Sequence, residues 1–170
     1  KRLIWFTTFF LTMSSCKQGE SMLEYDTNDN YVYFAVPNSN IKSSERYADS
    51  LYYSFSLDEN LTIKEKILAI PINIAGVSVE KDRSFELVVE DSSVYDPKVI
   101  TWTKPIIGAG KYKDTLYVKV LRDPKLLTSR MVLNYTLKTN SEFKVGNTYN
   151  RKVKIIVDDI LTQPKWWKAW

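Results

Sequence analysis

Met131-Val132-Leu133-Asn134-Tyr135-Thr136-Leu137 alternates without a break: Met131, Leu133, Tyr135 and Leu137 fall on one face, and Val132, Asn134 and Thr136 on the other. A period of two over seven residues is the pattern of a half-buried β-strand, and aromatic and β-branched residues suit its pleated surface. The same alternation recurs on both sides of this stretch. Leu116, Val118 and Val120 form an inward row with Tyr117 and Lys119 opposite, and Val153, Ile155 and Val157 form another. Upstream lie Tyr31–Val36, then Leu51, Tyr53, Phe55 and Leu57, then Leu68, Ile70, Ile72 and Ile74, then Phe85, Leu87 and Val89, and the short Val99–Thr103. Pro71 has no N–H to give a ladder, which places it at a sheet edge or a bulge.

Turn signals separate these runs: Pro37-Asn38-Ser39-Asn40, Asp58-Glu59-Asn60, Asp96-Pro97, Gly108-Ala109-Gly110, Asp123-Pro124 and Gly146-Asn147. About eight short strands with almost no helical periodicity predict an all-β chain, an immunoglobulin-like two-sheet β-sandwich. Pro164 suits the first turn of a helix. It predicts a short C-terminal helical start in which Trp166 and Trp170 share a face and Trp167 lies beside Trp170.

The N-terminus reads differently. Lys1 and Arg2 precede the apolar run Leu3–Leu11, then Ser14-Ser15 and the single cysteine, Cys16. A basic start, a short apolar stretch and small residues are the anatomy of a secretory signal peptide, and the run is too short to span a bilayer. Small residues directly before a lone cysteine predict a lipoprotein signal, with Cys16 as the lipidated residue. One cysteine allows no internal disulfide. The expected organisation is a signal peptide at 1–15, a lipidated tether at 16–30, the sandwich at 31–160, and the start of a truncated extension at 161–170. The formal charge of +4 falls to +2 without Lys1 and Arg2. Lys64, Lys66, Lys111, Lys113, Lys152 and Lys154 alternate with apolar residues, as a solvated strand face does, so nucleic acid is not an expected partner.

The chain contains no histidine. Serine–histidine and cysteine–histidine nucleophilic catalysis and the commonest zinc sites therefore have no residues to work with. Gly108-Ala109-Gly110 is too short for a phosphate loop and reads as a hairpin turn. Glycoside hydrolysis needs two carboxylates, for which Glu90, Asp91 and the pair Asp158-Asp159 are the candidates. Adjacent residues of a strand point to opposite faces, so Asp158 and Asp159 read as solvated strand ends. No loop has calcium-binding spacing, and the residues call for no cofactor. Trp102, Trp166 and Trp167 are the candidate ligand-binding residues, as stacking surfaces for sugar rings, set against a role in packing.

The order of several landmarks is informative: Ser21-Met22-Leu23-Glu24-Tyr25; Asp82-Arg83-Ser84-Phe85 leading into Glu86–Val89; Leu121-Arg122-Asp123-Pro124-Lys125-Leu126; and Ile155–Asp159 followed by Pro164-Lys165-Trp166-Trp167. This order resembles a family of Bacteroidota lipoproteins, the domain-of-unknown-function family 4843. The resemblance implies an exported protein encoded near TonB-dependent transporters and SusD-like lipoproteins, and it supplies no catalytic residues. One departure is Tyr95-Asp96-Pro97-Lys98, which lies where the family often has a Gly-x-His-Tyr element. The sequence thus predicts a non-enzymatic protein, lipid-anchored at the outer membrane, that is accessory to nutrient and glycan uptake. Its expected partners are the membrane, a transporter, a SusD-like lipoprotein and a glycan. The alternative is a structural or adhesive surface subunit, such as a fibre component.

Overall fold

In the computed structural model the described residues are 29–38, 47–146 and 150–161. They form eleven strands: β1 (Tyr31–Phe34), β2 (Ser50–Ser54), β3 (Glu65–Ala75), β4 (Arg83–Ser84), β5 (Glu86–Val89), β6 (Ile100–Trp102), β7 (Ile106–Ile107), β8 (Lys113–Leu121), β9 (Met131–Lys138), β10 (Lys144–Val145) and β11 (Lys152–Asp158). All eight expected strands are present. The three additional ones, β4, β7 and β10, have two residues each, too few to show a period. Cys16, where lipidation is expected, the expected tether up to residue 28, and the expected C-terminal helical start with Trp166 and Trp167 lie outside the described residues.

The strands build a five-stranded sheet in the order β10-β1-β3-β8-β6 and a four-stranded sheet in the order β2-β11-β9-β5, while β4 and β7 pair separately. Both large sheets contribute inward rows to one hydrophobic core. Ile70, Ile72, Leu116, Val118 and Val120 come from the first sheet, and Leu133, Tyr135, Leu137, Val153, Ile155 and Val157 from the second. This is the two-sheet sandwich that the alternation predicts. Most neighbours are antiparallel, but β2 runs parallel to β11 (Ser50 beside Lys154 through Ser54 beside Asp158), and β1 runs parallel to β10.

Pro71 departs from its expected place. It lies in β3, an inner strand, and the β3–β8 register runs from Glu65 opposite Leu121 to Asn73 opposite Lys113 with no bulge. Its carbonyl accepts from the Ala35 N–H at 2.8 Å. A strand residue's C=O and N–H point to the same side. The missing donor therefore faces the chain just past the end of β1, where the ladder has already stopped at Phe34 opposite Ile72.

Two other expectations change. The second strand ends at Ser54, and Phe55–Leu57 turns into a 3-10 helix, which keeps Phe55 buried but leaves Leu57 exposed. Gly108-Ala109-Gly110 forms a turn, with Gly110 at φ 70°, but β7 before it pairs with β4 rather than with β8. It is a corner between sheets and not a hairpin.

Candidate functional site

Strand pairing in the four-stranded sheet aligns one residue from each of four chain segments. Ile156 lies opposite Tyr52 on one side and opposite Val132 on the other, and Val132 forms a bridge with Val94. These residues alternate with the inward Leu133, Ile155 and Val157, so the row faces outward. It is a band of apolar surface in which Tyr52 is 50% and Val94 67% exposed.

Beside this band lies a groove of about 520 Å³ whose lining includes Asp49, Glu90, Ser92, Asn134, Lys152 and Lys154 as well as Val94 and Val132. Its polar groups are held in place. Glu90 accepts from Lys152 Nζ and from Thr136 Oγ1, each at 2.5 Å. The Lys152 bond, then the Thr136 bond, hold the Glu90 carboxyl below its ordinary range against a smaller opposing effect of burial. Asn134 Nδ2 donates to Ser92 Oγ at 3.0 Å, and the Asn134 N–H donates to Ser93 Oγ at 3.0 Å. The groove offers ammonium and amide donors together with carboxylate and hydroxyl acceptors next to an apolar strip. A few fixed polar groups beside apolar surface is the usual make-up of a small-molecule site.

A second, smaller recess of about 230 Å³ borders Arg122, Asp123, Pro124, Leu127 and Asp159. A third, about 380 Å³, runs along the β2 edge, where Asp58 joins Lys66 Nζ at 2.8 Å and Tyr53 Oη at 2.7 Å. The Lys66 bond, followed by the Asn60 N–H and the Tyr53 hydroxyl, holds the Asp58 carboxyl well below the usual carboxylate range.

The acidic pair at the end of β11 is not solvated, contrary to expectation. Asp158 is 0% and Asp159 5% exposed. They do point to different partners, as strand geometry requires. Asp158 accepts from Tyr52 Oη at 3.0 Å and from Arg130 Nε at 3.0 Å. Asp159 is gripped by both arms of Arg122, Nε at 2.7 Å and Nη2 at 3.0 Å. Burial raises the Asp158 carboxyl, but the bonds from Ser54, Arg130 and Tyr52 together outweigh it, and the group lies below its ordinary value. The Asp159 N–H also donates to the carbonyl of Leu126, a fully buried residue in the 3-10 helix Pro124–Leu127. Asp123 caps that helix by accepting from the Lys125 N–H at 2.9 Å. The Leu121–Leu126 landmark is therefore a clamp for the end of β11. The two aspartates serve structure, and their carboxylates are fully engaged.

Of the stacking candidates, Trp102 lies in β6, half-buried. Its indole meets Tyr135 of the opposite sheet edge-on, with centroids 5.4 Å apart, and Tyr95 at 6.2 Å. It packs between sheets. The outward row of Tyr52, Val94, Val132 and Ile156 was not anticipated. Its signal was apolar residues on the polar faces of separate strands, which have meaning only once strand order and register are known. Among the described residues no three His, Cys, Asp or Glu side chains gather as a metal would need, and no helix is long and apolar enough to cross a membrane.

No curated protein matches the chain in sequence. Among solved structures, a two-domain protein of unknown function from Bacteroides fragilis shares 12% identity at a TM-score of 0.49, covering 78% of this chain and 46% of its own. A protein of unknown function from Bacteroides ovatus shares 14% at 0.48 (74% and 43% covered). A candidate carbohydrate-binding protein from the same species shares 11% at 0.47 (77% and 37%). The chain thus matches less than half the length of each, and likenesses this distant assign no site or ligand to it. The family comparison is of another kind: the model of a domain of unknown function, DUF4843, matches residues 25–170. Continuous over most of the sequence, that match shows that the chain belongs to the DUF4843 family.

Proposed function

We propose that this chain is a non-enzymatic glycan-binding protein, lipid-anchored through Cys16 at the outer membrane and accessory to a TonB-dependent transporter with a SusD-like lipoprotein. The observation that carries the glycan reading is the 520 Å³ groove on the outer face of the four-stranded sheet. A sugar ring presents C–H faces and a rim of hydroxyls. The band of Tyr52, Val94, Val132 and Ile156 suits the former, and Glu90, Asn134, Lys152 and Lys154 suit the latter. The open shape suits a chain that passes along the groove. Family membership and the signal-like N-terminus support the location.

The test is calorimetric titration of the soluble domain with a panel of plant and host oligosaccharides. At least one should bind, and Asn134→Ala with Lys154→Ala should weaken it about ten-fold, roughly 1.4 kcal/mol, with unchanged thermal stability. No binding across the panel, or equal binding by the double variant, sinks the groove assignment. An affinity pull-down from outer membranes that recovers neither a transporter nor a SusD-like protein sinks the partner assignment.

A further inference from the structure

Arg83 stands in an inward row. It precedes Phe85 by two positions, and the two side chains are 2% and 3% exposed, facing the core together. Buried guanidinium groups ordinarily pair with carboxylates or carbonyls, because a desolvated charge without a partner is strongly unfavourable. Arginine cannot escape by losing its proton. Yet Nε, Nη1 and Nη2 of Arg83 are all buried without a hydrogen-bond acceptor. The ring of Phe143, 4.7 Å from the guanidinium carbon, occupies a face of the fork and leaves its in-plane donors free.

A second arginine at this end of the sandwich has one such nitrogen. Arg151 Nε is also buried and unpartnered. Both border the turn between β9 and β10. The Leu137 N–H donates to the Arg151 carbonyl at 2.9 Å, and Asn140 Nδ2 donates to the Ser84 carbonyl at 2.8 Å. The acidic groups of the same loops are engaged elsewhere: Glu142 with Lys81 at 2.9 Å, and Asp82 with the Ala109 N–H at 2.9 Å.

We infer that Arg83 forms an occluded site for a small carboxylate anion at the end of the sandwich remote from the Arg122–Asp159 clamp. A carboxylate is planar and accepts two parallel bonds from a guanidinium edge, which matches donors that are free in plane while one face is covered.

The probe is sodium acetate, exchanged for sodium chloride at constant ionic strength. The melting temperature of the wild-type protein should rise with acetate by several degrees and saturate. Arg83→Met should show no acetate-specific rise and should melt at or above the wild type in chloride alone. Saturation-transfer NMR on the wild-type protein, which needs no variant to fold, should show transfer to the acetate methyl. Equal melting in both salts, the same acetate response in Arg83→Met, or no saturation transfer overturns the site.

Discussion

Replacing Asp159 with alanine strips Arg122 of a two-armed partner and leaves its guanidinium against the core edge, over the ring of Phe55 at 5.7 Å. Breaking a buried pair on one side costs about 3–5 kcal/mol, mostly from the stranded charge. Asp159 fits that case at 4% side-chain exposure, but Arg122 is 27% exposed, so water re-solvates part of it. Arg122 also keeps its bond to the Leu61 carbonyl. We therefore expect Asp159→Ala to lower stability by about 2–3 kcal/mol, just below that range. At ~2–4 °C per kcal/mol for a domain of this size, melting should fall by roughly 5–10 °C. Urea unfolding followed by circular dichroism gives the free energies, and calorimetry gives the midpoints. The double variant Arg122→Met with Asp159→Leu removes both charges and should recover at least half of the single-variant loss. The reasoning fails if Asp159→Ala changes stability by less than about 0.5 kcal/mol, the size of an ordinary surface substitution, or if the double variant loses the sum of the singles.

Three further outcomes follow. Asp158 is held below its ordinary carboxyl value, so the stability it adds is fully present above the unfolded-state value of about 3.9 and is lost as pH falls through the lower folded value; Asp158→Asn should flatten the acid limb of a stability-against-pH curve, and an unchanged limb would count against the bonding described. Tyr135 Oη is buried with no partner, so Tyr135→Phe should be neutral or stabilising by up to about 1–2 kcal/mol in urea titrations, whereas a loss above that size would mean the hydroxyl is satisfied. Cys16→Ala should move the protein from the membrane pellet to the soluble or periplasmic fraction, and a variant that still pellets after a salt wash would end the anchor proposal.

The sandwich was legible because its inward rows are nearly pure. Leu68, Ile70, Ile72 and Ile74, or Leu133, Tyr135 and Leu137, need no tertiary information to be read as core. What failed was local chemistry decided by distant residues. Pro71 looks like an edge residue until the end of β1 is seen beside it. Asp158-Asp159 looks solvated until Arg130 and Arg122 are brought to it across the fold. Arg83 occupies a core position that charge alone would assign to the surface. The candidate groove was the least legible of all. Tyr52, Val94, Val132 and Ile156 become neighbours only through the β2–β11–β9 register, and no short-range pattern contains that pairing.

The parallel pairing of β2 with β11 sets the order in which this chain can fold. Tyr52 and Asp158, bonded to each other, are 106 positions apart, and β11 is an inner strand that joins β2 to β9. Until the ribosome has delivered β11, β2 has no neighbour in its sheet, and β9 has one open side. Contacts of such long sequence separation close late and slowly, because loop entropy is lost before the pairing rewards it. Among the described residues the last strand is the one that completes the sheet, so early collapse into a finished sheet is denied by the topology itself.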